Sequence, residues 1–274
     1  MEKKYMYSAV FVVILAVVAA LFLQSGNGTA QKAASGLVAY DGVIVPQSVM
    51  NELAVSSAVS NSQNVTHLIN EKMVYGAPLP VSNMTMLTLN GKPEVLYVGA
   101  EYCPYCAAER WALVVALMRF SNFTGLRYMT SSPSDIDAST PTFTFYNSTY
   151  TSKYISFVAV ETQKNTLVNG RYPALQSTDA VENSTVSAFD SGGSIPFIDI
   201  ANRSVQVGAS YDPALVLDGL NWSEIAANLG NHGSIQSQSI VGTANLLTAD
   251  ICQADGNQPQ SVCDQPYVTS IEKS

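Results

Sequence analysis

Apolar positions are distributed very unevenly along this chain. No charge occurs from Met6 to Leu23, and Val10 through Leu23 is almost wholly apolar. At about 1.5 Å per residue the eighteen residues of this run, Met6 to Leu23, nearly span a bilayer core of about 30 Å, so they are expected to form one N-terminal transmembrane helix. Gln24 through Gly36 is rich in Gly, Ser, Ala, Gln and Asn and reads as a flexible stalk. After Pro46, the apolar residues Val49, Met50, Leu53 and Ala54 recur at helical spacing, which predicts a short helix through Val59. A second short helical or extended segment runs from Val65 to Met73, and Gly76–Pro80 reads as a loop.

The pattern then shifts to continuous apolar runs separated by turn residues. Met86–Leu89 reads as a strand, Asn90-Gly91 as a turn, and Val95–Ala100 as a central strand. Cys103 to about Phe120 is a predicted helix. Trp111, Leu113, Val114, Val115, Leu117 and Met118 give it the broad apolar surface of a helix buried on a sheet. Leu126–Met129 reads as the next strand. Phe143, Phe145, Tyr146, Tyr150, Tyr154 and Phe157 follow, with a strand at Tyr154–Val160 and a polar, loop-rich or helical stretch through Ala180 to Phe189. Ile195–Ile200 and Ser204–Gly208 form a predicted hairpin around Ala201-Asn202-Arg203. Leu217–Leu229 and Ser239–Cys252 are closing helices.

The expected organisation is therefore a cytoplasmic stub and anchor at 1–23, a stalk and N-terminal extension at 24–64, and an α/β domain at 65–274. Only 12% of residues are charged, against roughly 25% in an average soluble domain. Net charge is −8 without any Lys/Arg cluster, which argues against nucleic-acid binding. Lys3 and Lys4 precede the apolar run and the next basic residue is Lys32, so the positive-inside rule keeps the N-terminus cytoplasmic and the body extracellular. A cleaved signal peptide is the rival reading. The run is longer than a usual apolar signal core of roughly 7–15 residues, and Gly28-Thr29-Ala30 is a poor cleavage site. N-x-S/T sequons at Asn27, Asn64, Asn83, Asn122, Asn147, Asn183, Asn202 and Asn221 are candidate glycosylation sites on an exported body. Ser/Thr-rich surface loops without sugar produce the same pattern.

The candidate chemistry lies in Cys103-Pro104-Tyr105-Cys106, directly after the central strand. A thiol attacks a disulfide only as a thiolate. At a helix N-terminus, unpaired N–H groups and the helix dipole favour that charge on Cys103, and Pro104 has no N–H to lose there. Cys106, one turn on, is placed to resolve a mixed disulfide. This spacing makes Cys103 the exposed nucleophile and Cys106 the buried resolving thiol.

The strand, the Cys103–Cys106 motif, its helix, and Ile195-Pro196 with the hairpin behind it resemble the thioredoxin superfamily. Pro104-Tyr105 resembles glutaredoxins. The whole layout of anchor, stalk, Gly99-Ala100-Glu101-Tyr102-Cys103 and long insertion resembles an uncharacterised archaeal family of membrane-anchored thioredoxin-like proteins. The resemblance implies a thioredoxin-like three-layer α/β sandwich with an insertion, at about 131–193, between the CxxC helix and the cis-proline hairpin. It implies a cis Pro196 facing the dithiol, with Ile195, Tyr102, Pro104 and Tyr105 as substrate-binding positions. A trans proline at a strand start is the alternative for Pro196. Two departures stand out. The insertion is long, and Tyr97 occupies the place where thioredoxins keep a buried Asp. Glu101 and Glu109 are expected at the surface.

Cys252 and Cys263 are expected to form a structural disulfide in an exported compartment, with a second redox couple as the alternative. CxxC is also half a zinc site, but Cys252, Cys263, His67 and His232 do not supply a second half at usable spacing, so no metal is expected. The expected function is a membrane-anchored, extracytoplasmic thiol–disulfide oxidoreductase of oxidase or isomerase type. Its cofactor is its own redox-active dithiol, and its partners are exported proteins bearing thiols or disulfides, with a membrane redox partner as a further candidate. The alternative is a non-catalytic surface glycoprotein using a thioredoxin scaffold for binding.

Overall fold

The computed structural model describes residues 36–58 and 65–271. The expected transmembrane run, most of the stalk, Asn27 and Asn64 lie outside the described residues. Among those described, no helix is long and apolar enough to cross a membrane.

Helices α1 (Gln47–Ala58) and α2 (Val65–Asn70) come first, followed by short strands β1 (Leu79–Pro80) and β2 (Thr88–Leu89). Strand β3 (Lys92–Gly99) follows β2 through a two-residue turn. Asn90 and Gly91 both take positive φ there, 55° and 74°, as a tight hairpin requires. Helix α3 (Pro104–Met118) leaves the end of β3. Then come β4 (Phe123–Thr124), β5 (Arg127–Thr130), β6 (Pro141–Thr144), β7 (Thr149–Tyr150) and β8 (Ser156–Glu161). Helix α4 (Ala180–Phe189) leads to the hairpin β9 (Phe197–Ile200) and β10 (Ser204–Val207). Helices α5 (Pro213–Leu217) and α6 (Trp222–Leu229), a π-helical turn at Ser237–Val241, α7 (Gly242–Asp255), α8 (Gln260–Cys263) and α9 (Pro266–Thr269) close the chain.

The central mixed sheet runs β1-β10-β9-β3, with β2 and β8 also paired to β3. Strand β8 is parallel to β3, with Gly99 opposite Glu161, and β9 is antiparallel, with Val98 opposite Phe197. The alternation of β3 divides the core. Val95 and Tyr97 join the cluster that contains Trp111, Leu113, Leu117 and Leu247 of α3 and α7. Leu96 and Val98 face the other way, with Val160, Phe197, Val186 and Phe189, so α4 covers the second face. The molecule is an α/β fold with helices on both faces of its sheet.

Three boundaries differ from expectation. A strand does form at Arg127–Thr130, but β5 pairs with β6 in a separate two-stranded sheet, with Tyr128 opposite Phe143. The sheet neighbour of β3 is β8, so residues 119–155 intervene between α3 and the next central strand. Apolar periodicity marks a strand without naming its partner. Next, the N-terminal extension is part of the domain. Val45, Val49, Met50 and Leu53 are buried in the main core, and Val45 N–H donates to Leu126 O at 2.9 Å while Tyr128 N–H donates to Val43 O at 2.9 Å. Finally, the expected helix over Leu217–Leu229 is broken. Asn221 caps α6 by accepting from Ser223 and Glu224 N–H, and the Glu224 carboxylate accepts from the Asn221 N–H at 2.8 Å.

Two fasteners hold the C-terminal helices. The Arg119 guanidinium, just past α3, donates to Ala244 O, Thr248 Oγ1 and Asn245 Oδ1 of α7 at 2.6–3.0 Å and lies over the Tyr267 ring. Cys252 and Cys263 form a disulfide with Cα atoms 5.6 Å apart, tying α7 to α8. Both are buried, so this sulfur pair is built into the core. Closing so short a loop stabilises by about 2–3 kcal/mol in the chain-entropy picture. Cys263→Ser is accordingly expected to lower the unfolding free energy by that much, read as a lower urea midpoint. An unchanged midpoint would show that packing alone holds the two helices.

Candidate functional site

Cys103 is the N-cap of α3, with φ −76° and ψ 121°. Its Sγ accepts the Cys106 N–H at 3.1 Å, and Pro104 fills the first helical turn. Both thiols are free. Cys103 is more enclosed than the exposed nucleophile expected from spacing: it is 5% exposed, because its side chain turns in to cap the helix, while Cys106 is 0% exposed. The hydrogen bond from the Cys106 side chain holds the Cys103 thiol below its usual range against the opposing effect of burial, helped by the Cys106 N–H and the Arg110 cation. Burial pushes Cys106 well up, and the neighbouring Cys103 adds to that. The two sulfurs are thus unlike: one favours thiolate, the other thiol.

A buried charge pair lies by the strand–helix junction. Arg110 Nε donates to Glu161 Oε1 at 2.9 Å, and Nη2 donates to Glu161 Oε2 at 3.0 Å and to Ala100 O at 2.5 Å. Both side chains are 0% exposed, and this is the one ion pair among the described residues. Tyr97 is fully buried, 6.0 Å from the guanidinium carbon and edge-on to Phe145. A side chain at Gly99 would collide with the Tyr97 hydroxyl, which makes the glycine necessary two residues along the same strand face.

Glu101 and Glu109 are not at the surface. Glu101 accepts from Thr144 Oγ1 at 2.7 Å, and burial raises its pKa. Glu109 is fully buried and accepts from Ser210 N–H at 2.8 Å and Ser210 Oγ at 3.1 Å. Burial raises its pKa to about 7, with the Ser210 bonds opposing. Sequence reasoning missed Arg110, Glu161 and Ser210. The available signal was a lone cation, Arg110, set among the apolar residues of α3.

The Ile195–Pro196 peptide is cis. Phe197 stands opposite Val98, so Pro196 lies at the end of the sheet from which the chain runs to Cys103, and its carbonyl accepts the Gly208 N–H at 2.8 Å. The Asp190 carboxylate accepts from Gly192 and Ser194 N–H and shapes the glycine loop ahead of it. Among the expected substrate-binding positions, Tyr105 is exposed, Ile195 is half-buried and Pro104 is buried. Tyr102 is half-buried and stacked flat on Tyr172, ring centres 4.1 Å apart. The aromatic residues of the intervening segment form core, not surface: Phe123, Phe145, Tyr150 and Phe157 pack with ring centres 5.0–5.9 Å apart.

Asn83, Asn122, Asn147 and Asn183 are exposed, and Asn221 is half-buried at its helix cap. Asn202 is buried and its Nδ2 donates to Thr85 O at 2.9 Å, which leaves that amide committed inside the fold and removes it as a glycan acceptor. No group of three or more potential metal ligands occurs among the described residues. His67 and His232 are exposed, and Cys252 and Cys263 are bonded to each other.

A family model described as a domain of unknown function (DUF929) matches residues 78–175. The matched stretch contains Cys103, Cys106, Arg110 and Glu161 and ends short of Pro196. No match is found among curated proteins or among solved structures.

Proposed function

We propose that this chain is a thiol–disulfide oxidoreductase with a thioredoxin-like fold, acting through Cys103 and Cys106. The observation that carries the reading is the unlike pair: a helix-capping Cys103 whose thiol is held below its usual range, one turn from a fully buried Cys106 held above it. The arrangement β10-β9-β3-β8, with β8 parallel and β9 antiparallel to β3 and a cis proline opening β9, supports it. In the oxidising direction, a substrate thiolate attacks Cys103 Sγ, the Cys103–Cys106 bond breaks, and Cys106 leaves as thiolate. The second substrate thiolate then attacks its own sulfur in the mixed disulfide and releases Cys103. One disulfide is consumed and one formed, and two thiols change hands. The apolar run before the stalk and the exposed sequons favour an anchored, extracytoplasmic setting with exported proteins as substrates.

A redox titration of the full chain in glutathione buffers tests the reading. The wild type and Cys252→Ser are expected to show a reversible dithiol equilibrium, and Cys103→Ser none. A Cys103–Cys106 bond that does not respond at any buffer ratio would sink it. The low exposure of Cys103 is the one observation that favours a binding-only scaffold, and the same titration separates the two.

A further inference from the structure

We infer that Arg110 is a positioning residue that sets the redox poise of the dithiol: its buried guanidinium is the fixed positive charge that stabilises the reduced Cys103/Cys106 pair and makes their disulfide more oxidising. The inference rests on the function proposed above and deepens it. A guanidinium taken out of water is costly unless its donors are matched. Here Nε and Nη2 are matched by Glu161 and Ala100 O, while Nη1 is buried with no hydrogen-bond partner. Leaving such a donor unmatched forfeits the hydration it would have in water with nothing in return. An arginine placed there calls for an account other than stability.

Its position supplies one. Arg110 follows Cys106 by four residues, on the same face of α3. Side chains on a helix tilt toward its N-terminus, so the stem of Arg110 leans back toward the cysteines. The bond to Ala100 O brings Nη2 to the strand–helix junction, three residues ahead of Cys103. Glu161 holds the guanidinium by Nε and Nη2 and leaves the Nη1 end open. The titratable groups around the guanidinium are Glu161, Glu101, Tyr97 and the two cysteines. Arg110 favours the thiolate of both sulfurs. In the reduced pair the negative charge rests on Cys103, so a cation that stabilises that thiolate favours the dithiol side of the equilibrium, and the same cation eases the departure of Cys106 when a substrate opens the disulfide.

The test uses the reduced full chain as wild type, Arg110→Met/Glu161→Gln and Glu161→Gln alone. The double variant removes the cation without leaving a buried carboxylate unpaired. It is expected to raise the pH midpoint of iodoacetamide alkylation at Cys103 and to shift the glutathione equilibrium about tenfold toward the disulfide, ~30 mV more reducing. Glu161→Gln keeps the cation and removes its counter-charge, so both readouts are expected to move the opposite way, by a few-fold. If the double variant does not fold, Glu161→Gln decides alone. Wild-type values in either folded variant would overturn the role of Arg110. Should the wild type fail to equilibrate with glutathione, the oxidoreductase reading fails, while the alkylation midpoints still report whether Arg110 acts on the thiols.

Discussion

Trp111→Ala is expected to destabilise the protein by about 3–5 kcal/mol, the range for truncating a fully buried aromatic. Trp111 is 0% exposed in the middle of α3. Its ring meets Phe143 edge-on at 4.5 Å, and its Nε1 donates to Pro141 O at 2.8 Å. It therefore joins the helix that carries the dithiol to the β5–β6 sheet, which lies outside the central one. Truncation leaves a cavity and strips the Pro141 carbonyl of that donor. Trp111→Phe keeps most of the packing and loses the hydrogen bond, so about 1–2 kcal/mol is expected for it. Urea midpoints of the two variants check this. A loss below about 1 kcal/mol for the alanine variant would mean that the β5–β6 unit does not support α3.

Glu109→Gln is expected to do the reverse, and only above acidic pH. Glu109 is fully buried and both its recorded hydrogen bonds come from Ser210; among the described residues it makes no ion pair. Its pKa of about 7 lies above the ordinary 4.5 because burial disfavours the carboxylate. The folded state thus holds this proton more tightly than the unfolded chain does. Stability falls as pH rises from about 4.5 to about 7, and the loss is complete above that. The shift corresponds to about 3 kcal/mol. Glutamine can meet Ser210 with a carbonyl for its N–H and an amide for its hydroxyl, and it has no proton to lose. At about pH 8 the variant should melt roughly 6–12 °C higher than the wild type, and near pH 4 the two should coincide. An equal difference at both pH values would show that shape, not ionisation, decides. Asp41 and Asp199, each raised to about 6 by burial, act in the same direction, so the wild type itself is expected to gain stability on mild acidification.

The parts of the fold legible in the sequence are those set by neighbours along the chain. β3 is a continuous apolar run, the helix behind it begins at a cysteine followed by proline, and β9–β10 is a local hairpin. The cis peptide at Pro196 follows from the resemblance taken with the glycine loop before it and the hairpin after it. The illegible parts depend on distant partners. Nothing in Leu126–Met129 or Tyr154–Val160 says which of them lies beside β3. Glu109 and Arg110 look like surface charges because Ser210 and Glu161 stand 101 and 51 positions away. A charge inside an apolar helix reads as solvated until its partner is placed, and only the tertiary fold does that.

The packing of α1 bears on how freely this unit can be moved between proteins. A minimal version cut at residue 65 would keep both thiols, the cis proline and every sheet strand, yet it would strip Val45, Val49, Met50 and Leu53 from the main core and open the edge of β5 at Leu126 and Tyr128. The portable module is therefore larger than the redox motif implies, and its border lies upstream, where the chain's composition looks least like a folded domain.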